Sequence, residues 1–368
     1  MDGSIEGYTG LILPGNTVQH FNKKVTNSDI ISLTSAVLDQ QVLDLYVIDF
    51  QQNLIGEIDE KDSEVHLTAT RALAKLFHTI EGYTCALTQV NLCGNNLNGE
   101  CVSILCSALI NNKTIKVLNL RRNPLEDDGA MYVAEMLESN TCLEQVDIGD
   151  TEFGHGSLIA MATALTKNRT LKSINLDNPV VKTLEEEALQ HIAKMLQNNK
   201  SLQHISLCKH NMTDVGAQVL AERLLENRTL TSLHLRANKI GGFGSEAIAA
   251  LLLSGSNIIE LDLSANRMCN EGAEAFETVL STSDRLKTLC VGHNSIQDEG
   301  LARLAYGILH NKRSALTKLL VWGNDFGEIA PTAFDALANA KHKILHLDIK
   351  PYTVDEKIMI AKKIVDED

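Results

Sequence analysis

Apolar positions recur in one eleven-residue pattern along most of the chain. Between Leu230 and Ile240 the first, fourth, sixth and eleventh positions are apolar, and the ninth is Asn238. Alternation over the central residues predicts a short, half-buried β-strand, and the asparagine predicts a turn after it. The pattern also starts at residues 45, 87, 115, 143, 171, 202, 258, 286, 316 and 344. These starts predict an array of about eleven repeats over residues 45–354.

A helical period follows each turn. In residues 126–143 and 213–230, Ala and Leu recur at i, i+3, i+4 and i+7. Most repeats are 28 residues long, and the longer ones start at residues 45, 171 and 286. A strand, an asparagine turn and a full helix in 28 residues resemble ribonuclease-inhibitor-type leucine-rich repeats. That resemblance implies an α/β solenoid shaped as a horseshoe, with parallel strands on the concave face and helices on the convex face.

The two ends depart from the repeat, and we expect them to cover it. Residues 1–44 predict a poorly ordered lead to about residue 24, then a capping helix that begins near Thr26. Residues 355–368 predict a capping helix with Ile358, Ile360, Ala361 and Ile364 on its apolar side, followed by an acidic end. A solenoid needs such caps because its terminal repeats have a neighbour on one side only.

Composition narrows the class of partner. Hydrophobic residues make up 44% of the chain and aromatic residues only 4%, so the core must consist of small aliphatic side chains. The net charge of −14 disfavours general binding of nucleic acid or anionic membrane. The first residues contain no basic start followed by an apolar run, so we expect no secretory signal and an intracellular location.

Eight cysteines occur without a C-x-x-C pair. We expect them to be free thiols in a reducing compartment. Cys93, Cys208 and Cys290 fall on strand positions that alternation directs to solvent, which predicts that these three react most readily.

Five asparagines stand in N-x-T/S triplets, at residues 112, 168, 199, 211 and 227. Most of them lie at the repeated helix-to-strand turn, so the pattern favours a structural role over glycosylation. The asparagine after each strand is a second recurring feature, at residues 53, 95, 123, 238, 266, 294 and 324, and predicts a ladder of amides that bond to the backbone. Thr151, Pro179 and His210 interrupt that ladder, in a zone that also holds the acidic run 185–187. Functional irregularity and drift of the repeat both remain open.

Residues between the buried strand positions point to the concave face, which partners of such proteins usually use. Two groups there are the predicted partner-binding residues: Arg121, Arg122, Asp147, Asp150 and Asp177 in one, and His234, Arg236, Asp262, His293, Leu320 and Trp322 in the other. For the charges we favour simple balance across neighbouring strands over a docking stripe. Trp322, the one tryptophan, is either an interface anchor or packs under the C-terminal cap.

The sequence contains no H-E-x-x-H motif, P-loop, Rossmann glycine fingerprint or nucleophile elbow. Asp147, Asp150 and Asp177 lie beside two arginines, which favours ion pairing over cation binding. We therefore expect no catalysis, no cofactor and no metal.

Residues 174–181, 207–216, 321–328 and 348–357 are not dictated by the repeat consensus, and they resemble a non-enzymatic scaffold within this repeat class. The resemblance implies a protein-protein interaction scaffold in the cytoplasm, nucleus or nucleolus, or within a large complex such as a ciliary or flagellar axoneme, with a role in germ-cell or stem-cell differentiation. The alternative is a GTPase-activating protein of the Ran-activating type, because those proteins share the repeat subtype. Those proteins carry a long acidic tail, whereas the acidic run at the C-terminus of this sequence consists of residues 366–368.

Overall fold

A computed structural model describes residues 9–15, 23–39, 44–78, 85–180, 187–340 and 344–363. The chain divides into two compact units, Met1–Lys182 and Thr183–Asp368. Part of the predicted acidic run, residues 185 and 186, and the acidic end at 366–368 lie outside the described residues.

In the first unit, each strand pairs in parallel with the next along the chain. Asn91 is in register with Asn119, and Asn119 with Asp147, so equivalent residues of successive repeats lie side by side. The elements are β1 Thr9–Ile12, α1 Asn27–Asp39, β2 Leu45–Asp49, α2 Val65–Lys75, β3 Gln89–Asn91, α3 Gly99–Leu109, β4 Val117–Asn119, α4 Glu126–Ser139, β5 Gln145–Asp147, α5 His155–Lys167 and β6 Ser173–Asn175.

The second unit repeats the same alternation of parallel strands and helices. A line of residues in register runs through His234, Asp262, Cys290 and Leu320. The elements are α6 Glu187–Asn198, β7 His204–Ser206, α7 Asp214–Leu224, β8 Ser232–His234, α8 Gly242–Leu253, β9 Glu260–Asp262, α9 Cys269–Thr282, β10 Thr288–Cys290, α10 Asp298–His310, β11 Lys318–Leu320, α11 Ile329–Asn339, β12 His346–Leu347, β13 Ile349–Val354 and β14 Lys357–Lys362. The eleven predicted strands are therefore present as β2 to β12, and both units have the α/β architecture of a leucine-rich repeat solenoid.

The consensus apolar residues form the core between strands and helices. Leu230, Leu233, Leu235 and Ile240 are at most 1% exposed. Helix residues such as Ala249 and Leu251 close the core from the other side with the same burial. Because a narrow aliphatic layer repeats along the chain, a Leu→Ala change at one of these positions would cost about 2–5 kcal/mol of folding free energy.

The asparagine ladder after the strands is confirmed. The Nδ2 amide of Asn266 donates to the carbonyls of Leu235, in the preceding repeat, and Leu263, both at 2.9 Å. Its Oδ1 accepts from the backbone N–H of Ile240 at 3.1 Å. At the first interruption, the Thr151 hydroxyl donates only within its own repeat, to Ile148 at 2.7 Å. A backbone bond still joins the two repeats there, since Glu126 N–H donates to the Thr151 carbonyl, as Cys269 N–H does to the carbonyl of the ladder residue Asn294.

A second ladder joins the helix ends. The Nδ2 amide of Asn168 donates to the Leu137 carbonyl of the preceding repeat at 2.8 Å, and its Oδ1 accepts from Leu171 N–H at 2.8 Å. The triplet asparagines 112, 168, 199 and 227 are all at most 5% exposed. The structural interpretation therefore holds for these four, whereas Asn211 is exposed.

Both predicted ends are wrong in part. The N-terminal lead contains β1, which pairs with β2 from Thr9 to Ile12, while the predicted helix follows as α1. The predicted C-terminal helix is instead a hairpin of β13 and β14 that packs on α11. Asp355 and Glu356 have φ values of 47° and 65°, which form a two-residue turn that a helix cannot contain. Ile358 and Ile360 then alternate along β14, so a period of two replaces the expected helical period.

Candidate partner-binding face

The last residue of each strand from β2 to β6 caps the turn that follows it. Asp49, Asn91, Asn119, Asp147 and Asn175 each accept a hydrogen bond from the backbone N–H two residues later, at 2.8–3.2 Å. Side-chain contacts between neighbouring strands supplement these turns, as where Asn91 Nδ2 donates to Asp49 Oδ1 at 3.1 Å. This polar row was expected to face partners, but much of its hydrogen-bonding capacity is used inside the fold.

The charged residues predicted in the first unit form a cluster of Arg121, Arg122, Asp147, Asp150 and Asp177. Arg121 donates from Nε at 3.0 Å and from its NH2 group at 2.6 Å to one oxygen of Asp150. Asn178 Nδ2 donates to the other oxygen at 2.8 Å. Much of this cluster is therefore paired internally, which agrees with the charge balance favoured from the sequence.

Asp147 is electrostatically unfavourable as a carboxylate. Burial raises the pKa of its carboxyl group, and Asp177 adds to that rise, whereas the Gly149 N–H and Arg121 oppose it. Arg122, by contrast, is exposed, and its backbone is left-handed with φ 57°.

The predicted residues of the second unit are more open. His234 and Arg236 are exposed, and Arg236 has no acidic side chain within ion-pair distance among the described residues. His234 Nε2 lies 3.2 Å from the buried Ser232 hydroxyl. Asp262 accepts from Ser264 N–H at 2.8 Å and therefore serves its own turn rather than Arg236.

Leu320 and Trp322 are half-buried on the same face of β11 and the turn that follows it. The backbone N–H of Trp322 donates to Asp348 Oδ2 at 3.0 Å, and the Trp322 carbonyl accepts from the backbone N–H of His293 at 3.0 Å. His293 itself is exposed in a left-handed turn with φ 54°. The structure thus fixes the backbone of Trp322 and leaves part of its indole accessible to solvent. The indole is therefore neither fully exposed, as a free interface anchor would be, nor fully buried under the C-terminal cap.

Small residues separate Arg236 from Trp322. The backbone N–H of Leu235 donates to the carbonyl of Asp262, that of Leu263 to the carbonyl of Cys290, and that of Val291 to the carbonyl of Leu320. The residues that follow these strands therefore remain in register. The row across neighbouring strands therefore reads Arg236, Ser264, Gly292, Trp322. Parallel strands lie ~4.8 Å apart, which places the two large residues ~14 Å apart over a floor of two small ones. We call Arg236, Ser264, Gly292, Trp322 and the adjoining His234 and Leu320 the strand-face patch.

The predicted reactivity of Cys93 and Cys290 is wrong. Both are only 8% exposed, and burial raises the pKa of each thiol, to about 12 for Cys290. Alternation places these side chains on the strand face, but neighbouring strands ~4.8 Å away cover small residues there. Cys208 is half-buried, and all eight cysteines are free thiols.

No three His, Cys, Asp or Glu side chains in the described part of the chain are arranged to hold a metal ion. No helix within the described ranges is both long and apolar enough to cross a lipid bilayer.

Known proteins share the repeat. The leucine-rich repeat family model matches residues 111–134, 226–249 and 286–305. Mouse leucine-rich repeat-containing protein 34 is 38% identical over 218 residues, which cover 59% of this chain and 52% of that protein. The chain thus spans about half the length of this relative.

Two other matches are more distant. RAN GTPase-activating protein 2 of Arabidopsis thaliana is 22% identical over 114 residues, 31% of this chain and 20% of that protein. An internalin structure from Listeria monocytogenes covers 94% of this chain and 87% of its own, with a TM-score of 0.48 and 16% identity.

Leucine-rich repeats build protein-interaction scaffolds, because stacking presents a continuous surface of strand residues. The chain is therefore an α/β leucine-rich repeat protein, and it resembles leucine-rich repeat-containing protein 34.

Proposed function

We propose that the chain is a non-enzymatic scaffold that binds a partner protein through the strand-face patch of its second unit. The observation that carries this proposal is the contrast between the two predicted groups. Arg121 is neutralised by Asp150 in the first unit, whereas Arg236 and His234 are exposed in the second. A charge that the fold does not pair is available to a partner at no cost in internal contacts.

The patch has the composition of an interface core. Trp and Arg are enriched among residues that dominate binding energy, and anchors of this kind work best beside a depression that a partner side chain fills. Ser264 and Gly292 form the floor between Arg236 and Trp322, and both are buried, so the accessible part of the patch is the exposed His234 and Arg236 with the half-buried Leu320 and Trp322. A partner side chain seated there would contact both the guanidinium and the indole.

Affinity purification of the tagged chain with quantitative mass spectrometry tests this proposal. Arg236→Glu, Trp322→Ala and the blocking change Ser264→Arg should each lower recovery of one common set of proteins about tenfold or more. Tyr306→Ala on α10, where Tyr306 is 38% exposed, is the matched control and should leave recovery unchanged. Unaltered recovery with all three patch variants would contradict the proposal.

We further propose, from the resemblance, that the scaffold works in the cytoplasm or nucleus or within a ciliary or flagellar axoneme of germ or stem cells. Imaging of the full-length protein tagged at its own locus tests this location. Secretion of the tagged protein would contradict it.

GTPase activation of the Ran-activating type is the second candidate, supported by the identity to the Arabidopsis protein. A GTPase-activating protein places groups that stabilise transition-state charge, often an arginine, at the nucleotide. The exposed Arg122 and Arg236 are the residues that such a mechanism would use. Stimulation of GTP hydrolysis by Ran that is lost in Arg122→Ala or Arg236→Ala would replace the scaffold proposal, while unchanged hydrolysis would exclude this activity.

A further inference from the structure

The C-terminal hairpin has a backbone pattern that follows from its turn. Val354 pairs with Lys357 across the two turn residues, and Tyr352 pairs with Met359. In a two-residue hairpin the pair that flanks the turn is hydrogen-bonded, and every second pair after it is hydrogen-bonded too. Lys363 N–H donates to the Asp348 carbonyl at 2.8 Å, which extends the same series. The peptide groups of Ile358, Ile360 and Lys362 therefore point away from β13.

The two edges of this hairpin differ. On β13 the outward positions include Pro351, which has no N–H to donate, so that edge cannot pair continuously with another strand. On β14 the outward positions are Ile358, Ile360 and Lys362. Their peptide groups make no hydrogen bond to another element within the described residues. An open row of backbone donors and acceptors is a template for an added strand.

The faces of the hairpin also differ. Pro351, Ile358 and Ile360 are half-buried on the face toward α11. On the opposite face, Tyr352, Val354 and Met359 are 43%, 49% and 46% exposed. A strand added beside β14 would extend this outer face, so an apolar side chain in the middle of the added segment would pack beside Met359.

Charge identifies the occupant. β14 and the residue after it carry Lys357, Lys362 and Lys363, all exposed, and no acidic residue. The contact of Lys357 with Glu328 at 3.4 Å involves side chains 74% and 87% exposed, so it contributes little. A second copy of β14 paired antiparallel about Ile360 would set Lys357 opposite Lys363 twice, and like charges in opposed positions are destabilising. Acidic side chains on an added strand would instead meet a lysine at either end.

From these observations we propose that β14 takes up, as an added β-strand, an extended acidic segment of a partner protein. Backbone hydrogen bonds from Ile358, Ile360 and Lys362 supply the pairing, and the lysines select the charge of the segment. This surface and the strand-face patch consist of different residues, although Asp348 accepts hydrogen bonds from both Trp322 and Lys363. The two proposals can fail separately, because their tests use different variants and different readouts.

Fluorescence anisotropy with synthetic eight-residue peptides tests the proposal on the whole chain. The probes are a peptide with two glutamates at each end and four valines between them, and a matched peptide with lysine in place of glutamate, and we expect the acidic one to bind at least about tenfold more tightly. Ile360→Pro removes one outward N–H and leaves the hairpin's own hydrogen bonds in place, so it should weaken binding of the acidic peptide about tenfold. Ile360→Ala, which loses the same packing but keeps the N–H, should stay within about twofold.

Thr353→Pro removes an outward N–H from the closed edge and should leave peptide affinity unchanged. Thermal melting of each variant shows that the fold survives the substitution. Equal affinity for both peptides, no binding of either, or unchanged binding by a folded Ile360→Pro variant would each overturn the proposal. A concentration-dependent dimer that Ile360→Pro abolishes would do so as well, because it would make a second copy the occupant.

Discussion

Arg121 donates two hydrogen bonds to a single oxygen of Asp150, which lies one repeat further along the chain. The two side chains are 30% and 18% exposed, so solvent screens their attraction only in part. Nearby Asp147 and Asp177 raise the pKa of Arg121 further, against the lowering effect of its burial. The first unit thus neutralises Arg121 on its strand face, although Arg122 beside it is exposed. The pairing of Arg121 is the reason that we assign partner binding to the second unit.

A double-mutant cycle with Arg121→Gln and Asp150→Asn measures this pair. We expect a coupling free energy of about 0.5–1 kcal/mol, because the geometry is good and the pair is half-buried. The pair of Lys167 and Glu138, 61% and 44% exposed, is the control and should couple by less than about 0.3 kcal/mol. Equal coupling in both cycles, measured by urea unfolding, would contradict this account of the cluster.

Removal of a ladder amide should be among the most destabilising polar changes. Asn266→Ala leaves the Ile240 N–H without its partner inside the core, and it removes one of the two amide donors to each of the Leu235 and Leu263 carbonyls. We expect a loss of about 2–4 kcal/mol in the free energy of unfolding. Asn96→Ala, at an exposed asparagine one residue after a ladder position, should change it by less than about 0.5 kcal/mol. A loss as small as that of the control would show that water replaces the ladder.

Asp298 should make the free energy of unfolding depend on pH in the acidic range. Its carboxylate accepts from the N–H groups of Gly327, Glu328, Ile329 and Ala330, the residues at and before the start of α11. Burial would raise the pKa of this carboxyl group, but these backbone donors outweigh that effect and lower the pKa. Because the pKa is lower in the folded protein than in the unfolded chain, the stabilisation is complete above the unfolded pKa of about 3.9 and is lost as pH falls through the folded pKa.

Asp298→Asn should therefore cost about 1–2 kcal/mol at pH 7, and less near pH 3. Asp147→Asn should cost nothing or stabilise at pH 7, since burial raises the pKa of Asp147 and makes its charged form unfavourable. Melting temperatures of the two variants and the wild type at both pH values test this contrast. A loss at Asp298 that is independent of pH would contradict the role of its charge.

The turn after each of β2 to β11 holds a left-handed residue, even where that residue is alanine. Ala265 has φ 56°, a conformation that costs a residue with a Cβ about 1 kcal/mol. Ala265→Gly should therefore keep or raise stability by up to about 0.5 kcal/mol, while Ala265→Val should lower it by more than about 1 kcal/mol. Ala273→Gly within α9 is the reference and should lower it by about 1 kcal/mol. Loss of stability in Ala265→Gly as large as in Ala273→Gly would contradict the strain at this turn.

Much of the architecture could be predicted from the sequence because the same eleven-residue pattern recurs in every repeat. The spacing of Leu233 and Leu235, with Asn238 after them, specifies strand, core and turn together, and each copy supports the others. The C-terminal hairpin was not predictable in this way. Ile358, Ile360 and Ala361 fit a helical stripe and an alternating strand equally well, and Asp355-Glu356 lacks the glycine that normally signals a two-residue hairpin turn.

The sequence predicts which residues lie on the strand face, but not which of them are free to contact a partner. Alternation places Arg121 and Arg236 on equivalent positions, and only the three-dimensional neighbours show that one is paired and the other exposed. The same limit explains Cys290, which alternation assigns to the strand face although its neighbours bury it. The small residues Ser264 and Gly292 between Arg236 and Trp322 are visible in the sequence, but their burial by neighbouring strands is not.

Site-specific photocrosslinking tests most directly whether the strand-face patch binds a partner. A photoreactive phenylalanine analogue placed at His234 in the full chain, in cells, should crosslink to a discrete partner, because His234 is exposed beside Arg236. The same analogue at Tyr306 on α10 should yield at most about a tenth of that product. Equal or stronger crosslinking from Tyr306, with none from His234, would contradict the account.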